Sequence, residues 1–225
     1  MDNQPIIYVL AGPNGIGKTT VNAFFIPANF VFINADDIAK QFREKLGNVQ
    51  TQELANAEAL ERMNQFIAKK VSFAIETNLA DNDTWQFLLR LPMIGYSVHL
   101  HFLGTSDVNI CIDRVKMRYL HGGHFIRPDI VKLRYENGLK LLQFYKDVPD
   151  RLFLTDNSTT ANQLCVELQK GEIVFQAPSL PSWVEFVLND PKQTKSSADD
   201  VTDIASIREK YRRMSSKKED TDTPQ

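Results

Sequence analysis

Residues 12–19, Gly12-Pro13-Asn14-Gly15-Ile16-Gly17-Lys18-Thr19, fill every fixed position of the pattern G-x-x-x-x-G-K-[ST], and Thr20 follows. Glycines let a backbone curl until successive N–H groups point inward at phosphate oxygens, and a helix opening behind them adds its positive end. At Lys18 the pattern places a point charge for the β- and γ-phosphates, and at Thr19 a hydroxyl suited to Mg2+. This stretch predicts a site for ATP with Mg2+. A bound nucleotide can serve a switch, a motor or a kinase, so the other chemistry-bearing residues decide between them. No run resembling LSGGQ and no N-K-x-D motif is present, which argues against an ABC-type motor and a GTPase.

Three groups of residues suit phosphoryl transfer to a hydroxyl. In "FINADDIA", Asp36 or Asp37 could take the proton of an attacking hydroxyl or hold a magnesium-bound water, or cap the next helix. Asp36 is read as the base and Asp37 as an acceptor-side residue. In "FAIETNL", Glu76 and Thr77 end an apolar run. A carboxylate there seldom stays unpaired, and it either binds a hydroxyl or amide of the acceptor or pairs with an arginine. Arg114 and Arg118 lie four apart on one helical face, "HGGHFIR" breaks that helix, and Arg134 sits on the next. Two helices joined by a glycine-containing break suggest a lid whose arginines neutralise phosphoryl charge; the alternative is a solvated basic face. His121 and His124 flank the two glycines without a further ligand in view, which disfavours a metal there.

Elements that would position these residues follow from periodicity. "IIYVLA" is a continuous apolar run ending at glycines, as in a buried parallel strand. "KTTVNAFFI" reads as a helix stopped by Pro27, and "FVFINADD" as a second strand ending at Asp36 and Asp37. Leu54, Ala57, Leu60, Met63 and Ile67 recur at helical spacing within 51–70. "VSFAIETNL", "YSVHLHFLG" and "RLFLTDNS" read as further strands, with "EIVFQAP" a candidate sixth. Helices are expected over "TWQFLLRLPMIG", 107–120 and 128–147. This alternation predicts an α/β domain: a three-layer P-loop fold with a mostly parallel sheet flanked by helices. Ligands of such sheets bind beyond the C-terminal strand ends, where the glycine loop, both aspartates and Glu76 fall. Because Glu76 follows the third strand and the loop follows the first, the two are expected to face different halves of one crevice.

The chain has 225 residues, 43% hydrophobic, with net charge −2. That suffices for one domain, read as 1–190, and gives no field favouring nucleic acid or anionic lipid. Cys111 and Cys165 form no disulfide framework or zinc spacing, and no apolar stretch is long enough to span a membrane. A soluble cytoplasmic protein is expected. Residues 191–225 are polar and charged, and read as a disordered tail or a single docking helix, with a narrow stripe of Val201, Ile204, Ile207, Tyr211 and Met214.

Taken in order, "AGPNGIGKTT", "FINADDIA", "FAIETNL", "YSVHLHFLG", "DRVKMRYLHGGHFI" and "LRYENGL" resemble the zeta toxin family of P-loop kinases in its short bacterial form, over roughly residues 6–158. The resemblance implies an ATP-dependent kinase; well-known members phosphorylate the 3′-hydroxyl of the amino sugar in UDP-N-acetylglucosamine and are held in check by an antitoxin. It implies that Lys18 and Thr19 hold ATP and Mg2+, Asp36 is the base, Glu76 binds the acceptor, and Arg118 and Arg134 are lid arginines. One departure stands at Arg127-Pro128-Asp129, where short forms tend to carry proline first; it shifts the helix start or adds a cation. The competing readings are a non-toxic kinase of another nucleotide or cofactor, and a nucleotide-dependent binding module without catalysis.

Overall fold

The computed structural model describes residues 4–46, 51–123, 125–159 and 161–189. The charged segment read as a tail, with its apolar stripe, lies outside the described residues.

Strand β1 (Ile6–Ala11) is the apolar run before the glycines, and it takes the centre of the five parallel strands. It pairs in parallel with β3 (Phe73–Thr77) on one side and β4 (Ser97–Gly104) on the other. β2 (Val31–Ile33) joins β3 and β5 (Arg151–Asp156) joins β4, both parallel. β6 (Gln163–Gln169) and β7 (Glu172–Gln176) add an antiparallel hairpin, giving the order β2-β3-β1-β4-β5-β6-β7. Ile7, Val9, Leu10, Leu100, Leu152 and Leu154 are fully buried in the central strands, as parallel strands covered on both faces require.

The helices are α1 (Lys18–Phe25), α2 (Ala35–Leu46), α3 (Thr51–Ala68), α4 (Asn82–Arg90), α5 (Val108–Leu120), α6 (Pro128–Tyr145) and α7 (Ser182–Leu188). The helix expected after Thr84 divides into α4 and a 3₁₀ turn at Pro92–Ile94, which Gly95 ends at φ 90°. The mostly parallel α/β architecture agrees with the sequence pattern, and four details differ. The second strand is shorter than expected: it ends at Ile33, and Asp36 and Asp37 occupy the first turn of α2, where the helix's positive end favours carboxylates. Helix α3 buries Thr51, Ala55 and Ala59, small residues that allow close packing against α2, and leaves Leu54 and Leu60 about half exposed. "EIVFQ" is the seventh strand, because β6 precedes it. Helix α7 has no counterpart in the sequence expectation.

His101 lies on β4 with its ring stacked on Phe153, the centroids 4.2 Å apart at 9°. Burial pulls its pKa down to about 3, with help from His99 and Arg151. An unfolded histidine titrates near 6.5, so below that pH the unfolded chain binds a proton that the folded chain refuses, and stability falls as pH falls. His101→Phe keeps a stacking ring and removes this linkage. The stability difference between variant and wild type, from urea melts, is expected to move by about 2 kcal/mol in the variant's favour between about pH 7 and about pH 5. A pH-independent difference would show that His101 is not held neutral.

Candidate active site

The glycine loop is fixed by what surrounds it. Gly12 and Gly15 have φ of 138° and 81°, conformations that favour glycine. A Cβ at either would meet a backbone oxygen at 2.3 Å, that of Leu103 after Gly12 and that of Cys111 after Gly15. Between them and Lys18, Ile16 is fully buried against Val115 and Cys111, so the loop is anchored by a hydrophobic side chain. Burial pushes the Cys111 thiol up to about 11. Arg114 completes the support: its Nη1 donates to the carbonyls of Ile16 (3.2 Å) and Asn157 (2.8 Å), and its Nη2 to Ser158 (3.0 Å). Asn157 Nδ2 donates to the same Ile16 carbonyl at 2.6 Å. Arg114 is therefore neither a lid arginine nor part of a solvated face; it ties the phosphate loop to the end of β5.

Lys18 opens α1 and is only 6% exposed. Its ammonium donates to the Gly12 carbonyl (2.7 Å), the Pro13 carbonyl (3.2 Å) and Asn78 Oδ1 (3.1 Å), which uses all three hydrogens. Burial lowers its pKa, and the Glu76 and Asp36 carboxylates oppose that shift.

Glu76 does not face a separate half of the crevice. β3 pairs directly with β1, placing Glu76 opposite Leu10 and Thr77 opposite Ala11. Its Oε2 accepts the Thr19 hydroxyl at 3.1 Å and Asn34 Nδ2 at 3.0 Å. Burial pushes the Glu76 pKa up, against the pull of Lys18 and the Thr19 bond. Asn34 then turns its Oδ1 to the Asp36 N–H at 2.9 Å, capping α2. One hydrogen-bonded chain thus runs from Thr19 through Glu76 and Asn34 to Asp36. Thr77 accepts the N–H of Leu79, whose φ is 54°, so its oxygen shapes the turn after β3.

Asn14, Lys18, Asp36, Glu76, Thr77 and Arg134 line one open cleft of about 780 Å³. Arg134 reaches it from α6 and donates to Asn14 Oδ1 at 2.9 Å. Gln52 and Asn56 of α3, Asp81 and Thr84 at the start of α4, and the segment Phe125–Arg127 close its other sides. Asp37 and Arg118 are exposed and do not line it. His121 Nδ1 meets the Met117 carbonyl at 2.8 Å; His124 lies outside the described residues.

Among the described residues no three His, Cys, Asp or Glu side chains form a metal cage. The Thr19 hydroxyl and Glu76 carboxylate instead offer the few hard oxygens that suit Mg2+, which takes most of its ligands from phosphates and water. Three residues escaped sequence reasoning: Asn34, Asn78 and Asn157. Each stands one position past a strand end, after Ile33, Thr77 and Asp156, and that shared placement was the available signal.

Comparison with known proteins gives a consistent picture. The family model described as Zeta toxin matches residues 1–168. An uncharacterized protein of Haemophilus influenzae is 35% identical over 139 residues, 60% of this chain and 94% of that protein. Among solved structures, that of the PezAT chromosomal toxin-antitoxin system of Streptococcus pneumoniae aligns with TM-score 0.55 at 16% identity, covering 95% of this chain and 88% of the other. The structure of AvrRxo1-ORF1:-ORF2 with ATP aligns with TM-score 0.61 at 13% identity, over 87% and 67%.

Arg114→Ala takes a donor from three carbonyls, of which that of Ile16 keeps Asn157 Nδ2. It is expected to lower stability by about 1–3 kcal/mol in denaturant melts. It should also weaken binding of a fluorescent ATP analogue, and Arg114→Lys should rescue only part of each loss. A variant of unchanged stability but slower turnover would return Arg114 to a lid role.

Proposed function

The chain belongs to the zeta toxin family, and from that premise we propose that it is an ATP-dependent kinase that phosphorylates a hydroxyl of a small molecule, of the sugar-nucleotide class exemplified by UDP-N-acetylglucosamine. The observation that carries the reading is the hydrogen-bonded chain from Thr19 through Glu76 and Asn34 to Asp36, which couples a phosphate loop to a carboxylate lining the same cleft. A pure binding module has no use for that carboxylate.

In this mechanism the loop N–H groups and Lys18 hold the β- and γ-phosphates of ATP. Lys18 exchanges the Gly12 and Pro13 carbonyls for phosphate oxygens. Thr19, backed by Glu76, would hold Mg2+, which neutralises charge on the phosphates. Asp36 accepts the proton of the acceptor hydroxyl as its oxygen bonds to the γ-phosphorus and the bond to the β,γ-bridging oxygen breaks, releasing ADP. Arg134, already on Asn14, stabilises the transferring group from α6. Glu76 Oε1 and Thr77 meet the acceptor from the cleft floor. Arg118, on α5, lies near enough to add its positive charge at Lys18, and Asp37, outside the cleft, has no assigned step. The likeness to the PezAT toxin-antitoxin system supports an antitoxin protein as partner.

Lys18→Ala should abolish phosphoryl transfer and weaken ATP binding, since losing a donor aimed at developing charge costs about 3 kcal/mol or more in the barrier. Asp36→Asn should leave ATP affinity intact and lower turnover by about 100-fold or more. Both are read by incubation with ATP, Mg2+ and a metabolite panel, scored by mass for one added phosphate. Expression in bacteria should deplete UDP-N-acetylglucosamine and arrest growth, and Asp36→Asn should relieve both. Transfer to a different metabolite with harmless expression would favour the non-toxic kinase; wild-type turnover in Lys18→Ala would end the kinase reading.

A further inference from the structure

The family match ends at residue 168, within β6, so β7 and α7 lie beyond it. Helix α7 is nevertheless built into the domain. Val184 and Val187 are fully buried, and Gln143 of α6 donates to the carbonyls of Phe186 (2.7 Å) and Asn189 (3.2 Å). The largest side chain of α7, Trp183, is 2% exposed and reaches the ends of β4 and β5.

Gly104 and Asp156 are paired across those two strand ends, and Trp183 engages both. Its indole packs on Gly104, where a Cβ would meet three ring atoms at 2.7–2.8 Å. Its Nε1 donates to Asp156 Oδ2 at 2.8 Å, while Asp156 Oδ1 accepts the Ser158 N–H at 3.0 Å. With one oxygen on each donor, the carboxylate has a single orientation, and bonds to a charged acceptor are the stronger kind. The turn it orients is the one that braces the phosphate loop. The Asn157 N–H donates to the Gly104 carbonyl at 2.9 Å, and Asn157 Nδ2 donates to Ile16. The carbonyls of Asn157 and Ser158 hold the Arg114 guanidinium, which reaches the same Ile16 carbonyl. One residue before Gly104, the Leu103 carbonyl is the atom that confines position 12 to glycine.

Resting on the reading of the loop as an ATP site, and on nothing about the acceptor, we infer that Trp183 is a positioning residue for ATP binding. Through Asp156 it fixes the Asn157–Ser158 turn, and through that turn the Ile16 carbonyl and the shape of the phosphate loop. Helix α7 is then part of the nucleotide site's support. Without the indole N–H, one Asp156 oxygen is released, the carboxylate can rotate, and the turn loses its fixed anchor.

The test is calorimetric titration of the full chain with a non-hydrolysable ATP analogue and Mg2+, well below each variant's unfolding midpoint. Trp183→Phe keeps an aromatic ring beside Gly104 and removes only the donor. It should raise the Kd by about three- to tenfold, the range that loss of one supporting bond allows. Asp156→Asn should weaken binding at least as much, and adding Trp183→Phe to it should change little, because both act on one bond. Asp156→Asn decides the matter alone if Trp183→Phe does not fold. Val187→Ala opens a cavity in α7 without touching Asp156; it should lower the unfolding midpoint and leave the Kd unchanged. Equal affinity in wild type and the two single variants, or the same weakening in Val187→Ala, would overturn the positioning role and leave the ATP reading standing. A wild type that binds no analogue would overturn the ATP reading, and this inference with it.

Discussion

A buried ammonium is the constraint around which the site is organised. Lys18 sits at the start of α1 with 6% of its surface exposed, and an unpaired charge there would be costly. It is answered by two carbonyls of its own loop and by Asn78, while Glu76 and Asp36 offset the burial electrostatically. These partners come from the loop after β1, the end of β3 and the start of α2, so parallel pairing of β1 with β3 is what makes the charge tolerable. The same arrangement holds the charge ready for transfer. The carbonyls that hold Lys18 in the free protein belong to the loop that would receive phosphate, so binding exchanges partners within one place without uncovering the charge.

A second set of contacts keeps that loop in shape. Close approach of the Leu103 and Cys111 carbonyls demands glycine at 12 and 15, and Ile16 anchors the loop in apolar surroundings. Arg114 and Asn157 then both donate to one carbonyl, that of Ile16. Two donors on a single acceptor resist rotation of that peptide, and its orientation decides whether the neighbouring N–H groups converge. The loop is thus preorganised by residues that never meet the nucleotide, which places part of the cost of ordering it in folding and not in binding.

Much of this was legible in the sequence, and the reasons differ by feature. The loop pattern, the central apolar strands and the Gly-bounded helices have short-range signals, and they appear where expected. Helix α3 stands where the helical spacing of 51–70 indicates, but its buried residues are Thr51, Ala55 and Ala59, which periodicity of the larger apolar residues does not reveal. The β6–β7 hairpin carried a signal that went unused: Lys170 and Gly171 both have positive φ, the two-residue turn that joins antiparallel strands. Arg114 could not be assigned from spacing, since its partners lie 43 and 98 residues away. Glu76 stands at the strand end that the sequence indicates, but its bonds to Thr19 and Asn34 are not legible there, because sequence order does not reveal that the third strand neighbours the first.

The neighbourhood of β1 and β3 also bears on how chemistry and recognition are divided. Glu76 bonds Thr19 on one side and Asn34 on the other, and Asn34 caps the helix that carries Asp36. A shift of the phosphate loop is therefore transmitted to the carboxylate lining the acceptor side through two side chains and one backbone N–H. Arg134 provides a parallel link, since its bond to Asn14 joins α6 to the same loop. Both links converge on the loop from opposite walls of the cleft. The phosphate loop is thereby tied by side-chain hydrogen bonds to the start of α2 through Glu76 and Asn34 and to α6 through Arg134.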